Sequence, residues 1–157
     1  MKPGLRLWLA LAGVVIVLDQ LTKAAVVAAF RLGESLVMTS FFDLVFVFNA
    51  GAAFSFLRDA GGWQKWFFVV LALGISAWIV GMLRHHAQER LLPAALALIL
   101  GGALGNVIDR LRFGAVVDFL DFHWAGWHFP AFNVADSAIT LGVMLMLWQQ
   151  FTHKETP

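Results

Sequence analysis

The 157-residue sequence predicts a membrane-embedded all-α domain of four transmembrane helices, with a small outer-face β-sheet between the first two. Three observations carry this expectation. The chain is 61% hydrophobic and only 13% charged, against about 25% charged residues in ordinary globular chains. Four apolar runs each come close to the roughly 20 residues that a helix needs to cross a bilayer. One stretch between the first two runs is instead rich in valine and phenylalanine around a turn signal. A chain of this length holds one compact domain. Its net charge of +1 gives no basic surface for nucleic acid, which demands dense phosphate neutralisation. It contains no cysteine, so disulfides, thiolate zinc sites and a cysteine nucleophile are all excluded.

The first span is expected at Leu7–Phe30, preceded by Lys2 and Arg6. Those charges, followed by an apolar run and an alanine-rich stretch, also fit a cleavable leader. Asp19 and Lys23 inside the run, and a length of roughly 36 Å at 1.5 Å per residue, favour a retained helix. The insert, about 36–58, reads VMTSFFDLVFVFNAGAAFSFL from Val37. β-branched and aromatic residues flanking Asn49-Ala50-Gly51 predict short strands. A sheet this apolar should rest on the membrane surface or the helices, as a platform and lid for substrate.

The second and third spans are expected at Trp63–Leu83 and Leu91–Ile108. The third carries Gly101-Gly102-Ala103-Leu104-Gly105, small residues that let helices approach closely. Its Pro93 lies in the first turn, where a missing N–H costs little. The fourth span is expected at Val134–Phe151. Lys2, Arg6, Arg84, Arg90 and Lys154 fall on the side of the termini, so both termini should be cytoplasmic. Trp8 and Trp148 then mark the inner interface, and Trp63, Trp66, Trp124 and Trp127 the outer one.

Charged groups inside spans are costly, and they mark function or a paired structural contact. Asp19 and Lys23 stand at i and i+4 on one helix face, either as a self-neutralising pair or as part of a substrate site. A denser group, Asn106, Asp109, Arg110, Arg112, Asp118 and Asp121, follows the third span, and Asn133 and Asp136 open the fourth. Each has a plain structural reading. Asn133 or Asp136 suits a helix N-cap, Asp109–Arg110 an interfacial ion pair, and Asp118 and Asp121 the wet positions of an amphipathic segment. Together they point to acid–base chemistry, because two adjacent carboxylates cannot both ionise easily and one keeps a proton near neutral pH. Which two of Asp109, Asp118, Asp121 and Asp136 make the pair is left open by the chemistry. No HExxH motif for zinc is present. His123 and His128 are weak metal candidates beside tryptophans, and Ser55 and Ser137 have no base adjacent in sequence.

Five blocks of this sequence resemble the bacterial lipoprotein signal peptidases, also called type II signal peptidases. They are LDQLTK around Asp19 and Lys23, FNAGAAFSF over 48–56, GGALGNVIDR over 101–110, VVDF around Asp118 and FNVADS over 132–137. The resemblance spans nearly the whole chain. It implies an aspartic endopeptidase of the bacterial inner membrane, acting near the periplasmic face without metal or cofactor. Its substrates would be diacylated prolipoproteins, cut before the lipidated cysteine; the chain itself is expected to work as a monomer in contact with membrane lipids. It puts the catalytic pair on Asp118 and Asp136, with supporting positions at Asn49, Gly51, Asn106, Arg110, Asn133, Asp19 and Lys23. The rival readings are a small transporter or ion-conducting subunit using these acids as a relay, and a non-catalytic assembly factor. Four spans without repeat symmetry argue against most transporter architectures.

Overall fold

The computed structural model describes residues 3–51 and 62–152. Four helices, α1 (Pro3–Ala29), α2 (Gln64–His86), α3 (Leu91–Phe113) and α4 (Val134–Thr152), follow the four apolar runs. α3 continues past the expected end at Ile108 to Phe113, with Asp109 buried, Arg110 half-buried and Leu111, Arg112 and Phe113 exposed. It stops at Gly114, whose left-handed φ of 81° lets its N–H close on the Arg110 carbonyl. Three of the helices are long and apolar enough to cross a membrane, over Gly4–Ala29, Gln64–His86 and Leu91–Phe113.

α3 is the central helix and packs against α1, α2 and α4. Its glycines make this possible. A Cβ on Gly101 would lie 2.7 Å from both the Ala12 carbonyl oxygen and the Val15 side chain, and one on Gly102 would overlap the Ala135 carbonyl. Gly102→Ala should therefore push α4 away from α3, at a cost of about 1–3 kcal/mol for overpacking a tight contact. A thermal melt in detergent unchanged from the parent protein would contradict that contact.

Strands β1 (Ser35–Val37), β2 (Phe42–Asn49), β3 (Val116–Trp124) and β4 (Trp127–His128) form one antiparallel sheet in the order β1-β2-β3-β4. This corrects the expectation that the sheet lies between the first two helices alone. Half of it comes from the connection between α3 and α4, and VVDFLDF is a strand rather than an amphipathic segment with wet aspartates. Val116, Val117, Asp118 and Phe119 are all buried, because β2 covers one edge of β3 while the helices lie beneath it. The solvent alternation expected from its aspartates is therefore absent over 116–119. The part of the insert over 52–61, with Phe54, Ser55, Phe56 and Arg58, lies outside the described residues, and so does most of the expected lid.

One irregularity in the β2–β3 pair sets the site. Leu44 pairs with Leu120, but the next register has Val47 opposite Asp118 and Asn49 opposite Val116. β2 thus carries one extra residue across Val45 and Phe46, a bulge that exchanges its two faces. Beyond the bulge, Asn49 shares a face with Asp118, while Phe46 turns with Val117 and Phe119 into an apolar cluster against Val26. A second cluster, including Leu5, Ala12, Leu83, Leu96 and Leu100, fills the other end of the bundle. Along α1, Asp19 and Lys23 fall between the two. The β3–β4 hairpin turns on Ala125 and Gly126, both at positive φ (50° and 82°), as a two-residue type I′ turn requires.

Candidate active site

The site is built on the first turn of α4. Asn133 caps the helix: its side-chain oxygen accepts the Asp136 N–H at 2.9 Å, and an Asp136 carboxylate oxygen accepts the Asn133 N–H at 3.3 Å. This reciprocal arrangement is a capping box with aspartate at its third position. The capping role and a role in the site therefore coexist in the same two residues. The Asn133 amide also donates to Asp118 at 2.6 Å and to the Val117 carbonyl at 3.2 Å. One fully buried asparagine thus joins the strand carrying Asp118 to the helix carrying Asp136.

Each aspartate has a second amide. Asn49 donates to Asp118 at 3.1 Å, and its oxygen accepts the Gly51 N–H at 3.1 Å. Asn106 donates to Asp136 at 2.8 Å. The orientation of Asn106 follows from Lys23, which can only donate. Its ammonium lies 2.9 Å from Asn106 Oδ1, so the amide nitrogen must face Asp136. Arg110 donates to the carbonyls of Gly51 at 3.1 Å and Asn106 at 3.4 Å, and stacks 5.0 Å over Phe68. It ties the turn after β2 to α3.

Behind these residues stands a buried charge cluster. Lys23 also meets Asp19 at 2.9 Å and Asp109 at 2.8 Å. Asp19 accepts the Ala135 N–H at 2.9 Å, satisfying another free donor of the α4 first turn. Gly105 leaves room for it, since a Cβ there would come 2.6 Å from Asp19 Oδ2. Gln20, which the sequence reading did not single out, donates to Asp19, to the Gly105 carbonyl and, at 2.9 Å, to Asp109. An amide between two charged residues of an apolar run was the available signal.

The four acids left open by the chemistry are now separated. Asp109 accepts Lys23, Gln20 and the Val117 N–H, the last at 3.0 Å. Asp121 faces His128 at 2.8 Å. Asp118 and Asp136 share Asn133 and interact electrostatically. Burial pushes the Asp118 carboxyl up to about 7, and the neighbouring Asp136 charge adds to this, against the amide donors Asn49 and Asn133 and the more distant Lys23. Asp118 thus holds a proton at a pH where a solvated aspartate does not.

A cavity of about 600 Å³ opens beside the pair. Asn49, Asn106, Arg110 and Asp136 form its polar end, and Ile139 and Met144 of α4 belong to its apolar wall. Ser137 and Thr140 also line the cavity, whereas His123 and His128 are not among its lining residues. His123 and His128 stack with ring centroids 4.8 Å apart, and His123 meets Asp43 at 3.3 Å. Among the described residues, no three ligating side chains gather in a way that could hold a metal ion. The Ser137 hydroxyl donates to the Asn133 carbonyl at 2.9 Å, a helix-internal bond.

A bundle of apolar helices that holds two carboxylates about one buried asparagine, with one of them lining a cavity, has the chemistry of a membrane-embedded aspartic hydrolase. The model of the family described as Signal peptidase (SPase) II matches residues 11–152. A lipoprotein signal peptidase of Azoarcus sp. (strain BH72) is 62% identical over 143 residues, covering 91% of this chain and 81% of that protein. One of Burkholderia vietnamiensis (strain G4 / LMG 22486) is 56% identical over 91% of this chain and 86% of its own length. A solved bacterial membrane enzyme superposes with a TM-score of 0.81 at 32% identity, covering 96% of this chain and 92% of the other. The chain belongs to the signal peptidase II family and is a protease.

Proposed function

We propose that the protein is a four-span aspartic endopeptidase that removes the signal peptide from diacylglyceryl-modified prolipoproteins, cutting before the lipidated cysteine. The observation that carries the reading is the pairing of Asp118 with Asp136 through Asn133, beside a cavity that is polar at one end and apolar along α4. The ionised member of the pair takes a proton from a water as it attacks the scissile carbonyl. The protonated member hydrogen-bonds the carbonyl oxygen as charge develops there, and then protonates the leaving amine. The two act as one titrating unit. Asn106 and Asn133 hold the carboxylates, Arg110 and Asn49 fix the turn at Gly51 over the polar end, and Asp19 and Lys23 anchor the first turn of α4.

The apolar wall suits the signal helix and the acyl chains of the substrate. α4 is the fourth span: its 19 residues make about 28 Å of helix, and Leu141, Met144, Leu147, Trp148 and Phe151 are exposed along it, as a lipid-facing surface requires. Both termini lie in the cytoplasm of a bacterial inner membrane, which puts the pair and the sheet near the periplasmic face. The chain works as a monomer among membrane lipids, without metal or cofactor. A proton or ion relay finds less support, because Lys23 commits its ammonium to Asp19, Asp109 and Asn106.

Purified protein incubated with a diacylated prolipoprotein should release the signal peptide, and the same precursor without the lipid should be cut far more slowly. Equal rates on the two would remove the lipid from the proposal. Chelators should leave the rate unchanged. The pH profile has a predicted sign: activity should fall as pH rises through about 7, where Asp118 gives up the proton that burial retains. A rate still climbing well above that pH would count against a shared proton.

A further inference from the structure

Acids outnumber cations four to two in the buried cluster around the pair, and one of these acids has no part in the chemistry proposed above. Asp109 is almost completely buried (1% exposed). One of its oxygens accepts both the Lys23 ammonium (2.8 Å) and the Val117 N–H (3.0 Å), and the other accepts Gln20 (2.9 Å). Val117 immediately precedes Asp118, and its carbonyl is held by Asn133. Both polar backbone groups of that residue are thus gripped by side chains of other elements, which fixes the point where Asp118 leaves the strand.

The charge of Asp109 has a second effect. Lys23 lies close enough to Asp118 for its field to favour the ionised form of that carboxyl. An ammonium this deeply buried, with no counter-charge, would act on the pair at nearly full strength. Asp19 and Asp109 both contact it directly. The titratable groups facing this cluster are Asp19 and Lys23 on α1, Asp109 and Arg110 on α3, Asp118 on β3 and Asp136 on α4. β2 contributes the neutral amide of Asn49, and α2 the ring of Phe68 against Arg110.

We propose that Asp109 is a positioning residue that, with Asp19, absorbs the charge of Lys23, so that Lys23 can orient Asn106 without drawing the shared proton from Asp118 and Asp136. The inference rests on the assignment of those two residues as the catalytic pair. The same lysine thereby serves as a rigid amide-orienting donor while its charge is cancelled locally.

The test is the pH–rate profile of the full-length protein in detergent or nanodiscs, on a diacylated prolipoprotein. Asp109→Asn leaves Lys23 under-compensated, so the alkaline limb should move to lower pH by about one unit. Asp19→Asn removes the other counter-charge and should move it the same way, which keeps the test open if one variant does not fold. Lys23→Gln combined with Asp109→Asn deletes opposite charges together and should bring the limb back towards its original position. A purely structural role for Asp109 predicts lower kcat with the limb in place in every variant, and that result overturns the proposal. Asp118→Asn is assayed alongside: activity there sinks the catalytic pair itself, whereas its loss together with unshifted limbs sinks only the role of Asp109.

Discussion

Asp118→Asn and Asp136→Asn should each reduce cleavage of a diacylated prolipoprotein by at least about 10³-fold, while the protein stays folded. The magnitude follows from removing a group that must exchange a proton with the reacting atoms, which contributes about 10²–10⁴-fold alone and more when the two members act as a unit. The fold should survive because asparagine keeps the shape of the side chain and one of its oxygens. For Asp118 the expectation goes further. Its carboxyl sits at about 7 in the folded protein, against 3.8 for an ordinary aspartate. Between those values the folded state binds a proton that the unfolded state releases. Stability from this group is therefore complete below about pH 4 and is lost as pH rises through about 7. The loss amounts to roughly 4 kcal/mol at 1.36 kcal/mol per unit. Asp118→Asn removes it, so the inactive variant should melt at a higher temperature than the parent at pH 8 and gain little at pH 4. Activity near the parental level in either variant would dismiss the pair. A variant that is inactive and also less stable at pH 8 would show that Asp118 serves the fold as a charged group.

The second large effect is expected at Asn133, which touches no bond that is broken. Asn133→Ala removes the N-cap of α4, worth about 1 kcal/mol. It also removes the donor to one Asp118 oxygen, leaving only Asn49 on that side chain, and the donor to the Val117 carbonyl, at about 1–3 kcal/mol for each group left unpaired. Because the same side chain spans from β3 to the first turn of α4, its loss should let the two aspartates drift apart. A displacement of about 1 Å can cost on the order of 10²-fold in rate. Lower melting temperature and lower kcat are expected together, with KM changed less. A variant that melts earlier yet turns over normally would separate the cap from the pair and assign Asn133 to stability alone.

Much of this arrangement could be read from the chain, and the exceptions share a cause. The helices were legible because burial in lipid demands long apolar runs, and nothing else in the sequence resembles them. β3 was not, because Asp118 and Asp121 alternate with apolar residues in a way that mimics a wet face. One of these aspartates is in fact buried among helices, and the other is matched with a histidine on β4. Pairing between β2 and β3 depends on contact across about 70 residues of chain, which no local pattern records. The gathering of acids was visible from topology, but chemistry alone did not select Asp118 and Asp136, and the family resemblance did. Asp109 looked like a candidate for the pair. What redirects it is a backbone N–H and a lysine from another helix, and such partners leave no trace in composition. The cap at Asn133 was visible as a motif; that it also grips Asp118 was not.

The sheet has a consequence for how the protein is made. β2 is synthesised between α1 and α2, but its partner β3 emerges only after α3, and Asn133 and Asp136 only with α4. Asn49 therefore waits through two further helices before it can meet Asp118, and Asp118 is not set against Asp136 until the last helix is capped. On the proposed assignment of the pair, a chain whose fourth helix has not yet inserted lacks the contact through Asn133 and should have no hydrolytic competence. Activity should then appear only once the last helix is in place.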